Sequence, residues 1–162
     1  MYDRTPCLPD PTRPPGPPAP SPGNLSYSLG LPSNAHSLGT ARTVVRRVLC
    51  QHGLSDLAEL GVLATSELLA NACLFTPGRE AGLSVRWRYG VLRLTVSDEH
   101  PPHPAGAREM CRARRRAALS TLDAVVDACG GICGLDETAA PLGGSRMWAV
   151  FSREAGENYA KL

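Results

Sequence analysis

The chain has 162 residues, 43% hydrophobic and 20% charged, which is enough for one ordinary domain with residues to spare. A formal charge of +2 is too small to argue a nucleic-acid or membrane partner from the total. Aromatics make up only 5%, so a core must be built from Leu, Val and Ala, and no apolar run looks long enough to span a bilayer.

Residues 1–24 are dominated by proline, with PTRPPGPPAPSPG at their centre. Proline fixes φ and lacks an N–H, so neither a helix nor a ladder forms there. A disordered tail is expected. The start MYDRTPCLPD has no apolar h-region, which gives no secretory signal and a cytoplasmic expectation. Six cysteines, at 7, 50, 73, 111, 129 and 133, form no C-x-x-C pair and read as small apolar residues.

Leu25, Tyr27 and Leu29 alternate with polar residues and predict a strand, ended by Gly30 and Pro32. Ser33 or Asn34 then caps a helix to about His52. Its apolar stripe is Ala41, Val44, Val45, Val48 and Leu49, with Arg42, Arg46 and Arg47 outward. Ser55 and Asp56 are N-cap candidates for a second helix, LAELGVLATSELLANACLF, which ends before Pro77-Gly78. Glu59 lies early in that helix and is expected to be exposed. Glu67 and Asn71, four residues apart on one face, sit among apolar neighbours. LSVRWRYG and VLRLTVSD alternate as a hairpin turning at Gly90 and ending in Asp98. A proline-rich loop follows, EHPPHPAG. Its His100 and His103 have no further ligand nearby in sequence, so metal binding is not indicated. A long helix is expected from about Ala107 to Ala128, broken by Gly130-Gly131. ICGL is a short strand, PLGGSR a turn, and MWAVFS the last strand. The end, residues 153–162, reads as a polar tail.

This order of elements gives an α+β chain, a two-layer sandwich with one mixed, mostly antiparallel sheet covered on one face by helices. The domain runs over 25–152.

The stretches SELLANA (66–72), LRLTVSDEHPP (92–102), LSTLDAVVDACGG (119–131) and GGSRMWAVF (143–151) resemble the GHKL (Bergerat-type) ATP-binding fold. Within it, the chain looks like the small anti-sigma-factor serine kinases of Gram-positive bacteria and their stand-alone actinomycete relatives. The resemblance implies that Asn71 holds Mg²⁺ bridging the phosphates of ATP. Glu67 would be the catalytic base or orient the attacking group, and Asp98 would read the adenine amino group. An amide oxygen among phosphate oxygens suits Mg²⁺, and phosphoryl transfer is mainly positioning and charge stabilisation. The implied partners are a sigma factor and a STAS-type antagonist whose serine receives the phosphoryl group, with homodimers common among relatives. On this reading Asn71→Ala abolishes Mg²⁺-ATP binding with little change in fold.

The pattern departs from the family in three places. Arg116-Ala117-Ala118-Leu119 stands where G-R-G-L is usual. Phe75 stands where the N-box has His. Gly144-Ser145-Arg146-Met147-Trp148 stands for G-K-T-x-W. Without the glycines, backbone N–H groups approach phosphates less readily. Two alternatives follow. One is a nucleotide-independent interaction module on a degenerate fold. The other is a nucleic-acid-binding regulator using Arg108, Arg112, Arg114, Arg115 and Arg116, although no interleaved aromatics accompany that cluster.

Overall fold

The computed structural model describes residues 14–138 and 143–162. Most of the expected proline-rich tail, residues 1–13, lies outside the described residues, as do Pro141 and Leu142 of the expected turn.

β1 is Ser26–Pro32 and runs on through Gly30 rather than ending there. α1 is Ala35–Gln51, capped by Asn34, whose side chain accepts from the Ser37 N–H. Its buried face is Ser37, Ala41, Val45, Val48 and Leu49, close to the stripe expected from the sequence. α2, Ala58–Phe75, is entered through a 3-10 turn at Ser55–Leu57. Neither Ser55 nor Asp56 caps it. Asp56 instead pairs with Arg153 at 3.3 Å. β2, Glu80–Arg88, and β3, Val91–Asp98, form the expected hairpin. Tyr89 and Gly90 both have positive φ, at 53° and 78°, as a tight two-residue turn between twisted strands requires.

The predicted long helix is two. α3 is Ala107–Ala118 and α4 is Ser120–Cys129. They divide at Leu119, which leaves helical geometry and turns its side chain into the core. β4 is Ile132–Glu137 and β5 is Ser145–Ser152. The expected polar tail folds as α5, Arg153–Tyr159, with Ala155 buried against the body.

The five strands order as β1-β2-β3-β5-β4, and every neighbouring pair is antiparallel. Among the described residues the sheet is wholly antiparallel rather than mixed as expected. Two helices separate β1 from β2, and β5 lies between β3 and β4. Ala81, Leu83 and Val85 share one face with Leu92, Leu94, Val96, Met147, Ala149 and Phe151, and all are buried. Arg86, Arg93 and Arg146 occupy the opposite, exposed face. The helices therefore form a second layer on one side, an α+β two-layer sandwich.

Ser55–Phe75 is long and apolar enough to cross a membrane by length and composition, contrary to the expectation that no such run exists. In the fold it is the central core helix, 56% buried, packed between α1 and β3.

Candidate functional site

Asn71 and Asp98 face one buried point of the fold, and a third residue lies between them. α2 turns Asn71 inward, so that it is 3% exposed. β3 ends with Asp98 on the buried face of the sheet. Gly144 lets β5 reach that end of β3. Its φ is +91°, and a Cβ there would lie 2.2 Å from the Asp98 carbonyl oxygen. This close approach sets Ser145 directly opposite Asp98.

Arg115 fills the space these residues enclose. It is 2% exposed and the largest fully buried side chain among the described residues. Its Nη2 lies 2.5 Å from Asp98 Oδ2, and its Nη1 donates to Ser145 Oγ at 2.8 Å. Its Nε donates to Asn71 Oδ1 at 2.9 Å. Asn71 Nδ2 donates back to the Arg115 carbonyl oxygen, also at 2.9 Å. The Phe75 ring lies 5.5 Å from the guanidinium carbon and covers the cation. A buried charge is tolerated only when paired and hydrogen-bonded, and Arg115 is both.

Three stretches singled out in the sequence meet at this residue. Ala117 and Ala118 are the last residues of α3, and that helix carries Arg115 inward. Phe75, the last residue of α2, covers the guanidinium. Ser145, the first residue of β5, accepts a hydrogen bond from it.

Glu67 lies one turn from Asn71 but outside this network. It is half-buried and makes no ion pair among the described residues. Glu59 is exposed as expected and takes both Nε and Nη2 of Arg46, which holds its carboxyl below the usual range. Trp148, in the last motif, lies on the opposite face of the sheet. It donates Nε1–H to Asp136 Oδ2 at 2.8 Å beneath the Arg93 guanidinium.

The arginine cluster is divided. Arg115 is core, and Arg108 pairs with Glu137. Arg112, Arg114 and Arg116 are exposed. A cleft of about 140 Å³ lies nearby, lined by Leu68, Leu119, Leu122 and Leu135, together with Asp123 and Cys133. It is smaller than the roughly 300–1,000 Å³ of ordinary small-molecule sites. Burial, then the Asp123 carboxylate, push the Cys133 thiol up to about 12, so it stays protonated and unreactive.

Beside Arg115 stands a group that sequence reasoning set aside. His100 and His103 come from the proline-rich loop and Cys111 from α3, all half-buried, with donor atoms within 4.8 Å of one another. The His100 backbone N–H also donates to Asp98 Oδ1 at 3.2 Å. Burial, and next the nearby Arg115 charge, hold the His100 imidazole below its ordinary pKa. The spacing from 103 to 111 gives no local signal, because the turn before α3 brings Cys111 back.

No known family model matches the chain, and no curated protein matches its sequence.

Proposed function

We propose that this protein is a regulatory protein-binding domain of the GHKL architecture, anti-sigma-factor-like, whose nucleotide position is held closed by its own Arg115. The observation that carries this reading is the guanidinium bridge between Asn71 and Asp98. The oxygen that would coordinate Mg²⁺ already accepts from a cation. The carboxylate that would meet adenine is ion-paired. ATP would have to break both contacts and expose or re-pair a buried arginine. The domain then works by occupying a partner, with a sigma factor or a STAS-type antagonist as the proposed class. Serine-kinase turnover is not part of this reading.

One observation favours a second reading, in which Mg²⁺-ATP displaces Arg115 and opens the site. Glu67 remains half-buried and without an ion pair among the described residues, one turn from Asn71. A nucleic-acid role fits less well, since two of the five clustered arginines are already paired within the chain.

Calorimetric titration with ATP and Mg²⁺ tests the proposal. Flat heats for the parent chain, with an unmoved melting temperature, are expected. Micromolar, Mg²⁺-dependent binding would overturn it in favour of the second reading.

A further inference from the structure

We propose that His100 Nε2, His103 Nε2 and Cys111 Sγ form a transition-metal site, zinc-binding in the first instance, that ties the proline-rich loop to α3. Nothing in the sequence motifs assigns these residues a role. The site stands on its own, whether or not nucleotide ever reaches Asn71 and Asp98.

The donor set is the first argument. Two imidazoles and a thiol suit Zn²⁺, which takes nitrogen and sulfur ligands in a tetrahedron. The three donor atoms already lie within 4.8 Å of one another. The two imidazole Nε2 atoms are 2.8 Å apart, and Cys111 Sγ is 3.3 Å from His100 Nε2. Tetrahedral zinc with ordinary bond lengths separates two nitrogens by about 3.3 Å and nitrogen from sulfur by about 3.6 Å. The imidazole pair then needs to open by about 0.5 Å and the His100–Cys111 pair by about 0.3 Å. The fourth position is left for water.

The second argument is the surroundings of His100. Its Nδ1 lies 3.1 Å from the Phe75 carbonyl oxygen, which can only accept, so Nδ1 carries the proton and Nε2 offers its lone pair. A ring nitrogen anchored on a backbone carbonyl is how metal-ligating histidines are held. That single lone pair is approached by both His103 Nε2 and Cys111 Sγ. Two donors converge on one acceptor, and a cation at the shared point, with the thiol deprotonated and the His103 proton moved to Nδ1, satisfies all three groups.

The third argument is placement. Pro101 and Pro102 restrict the short loop that spaces the two histidines. Cys111 is one turn before Arg115 on α3. Metal at this point would fix the helix that carries Arg115.

The test uses the full chain, reduced, with Zn²⁺ titrated in competition with a chromogenic chelator. One equivalent is expected to bind with a submicromolar dissociation constant and to raise the melting temperature. Cys111→Ser and His103→Ala should each weaken binding by about tenfold or more, while Cys133→Ser should not. Co²⁺ in the parent chain should give a thiolate charge-transfer absorption that Cys111→Ser lacks. Failure of the parent to compete with the chelator would overturn the proposal. So would a Co²⁺ spectrum without a thiolate band, which needs no variant, or equal affinity in the parent and both ligand variants.

Discussion

Arg108 and Arg115 lie seven residues apart on the same face of α3, and their fates differ. Arg108 extends through solvent to Glu137, and its own side chain stays 66% exposed. Arg115 is buried and meets Asn71, Asp98 and Ser145 at once. An exposed pair gains little, because water competes for both ions and two long side chains must be ordered. A buried ion has no water to fall back on, so every partner that is lost leaves a desolvated charge. Position on the helix face is shared, and burial decides which arginine matters.

Removing one side of the buried pair should have the largest effect. Asp98→Ala leaves the Arg115 guanidinium without its counter-ion and should cost about 3–5 kcal/mol in chemical denaturation. Arg115→Met should be comparable, since Asp98 is then the unpaired ion. Combining Arg115→Met with Asp98→Asn should recover part of the loss. A fully additive double variant would show that the two residues are not coupled.

Asn71→Ala comes next. It removes one hydrogen bond to the guanidinium and one to the Arg115 carbonyl, and should cost about 1–3 kcal/mol. The sequence alone suggested little change in fold for this substitution. An unchanged denaturation midpoint would return Asn71 to a purely ligand-binding role. Glu67→Gln should leave stability unchanged, since the carboxylate has no ion pair among the described residues to lose. A clear loss would mean that it has a structural partner. Arg108→Ala should leave the melting temperature unmoved at physiological salt, and a clear drop would show that the two ends of α3 are not as different as their burial implies.

Much of the fold was legible because its signals are local. Asn34 caps α1, the stripe from Ala41 to Leu49 is buried, and Gly90 turns the hairpin. Asn71 and Asp98 were singled out by the stretches that hold them, SELLANA and LRLTVSD, and not by any spacing that announces their meeting. Arg115 was not. Its helix carries many charges in few residues, so an inward arginine looks like its outward neighbours. Its partners come from α2, β3 and β5, far away in the chain. The break at Leu119 has no glycine or proline to announce it. α5 was missed because its composition is polar and its buried surface is small.

The most direct test is a crystal structure of the chain grown with millimolar ATP and Mg²⁺. The account predicts that Arg115 still bridges Asn71 and Asp98 and that no nucleotide lies between α2 and β3. Adenine against Asp98, with Mg²⁺ on Asn71 and Arg115 swung away, would contradict it.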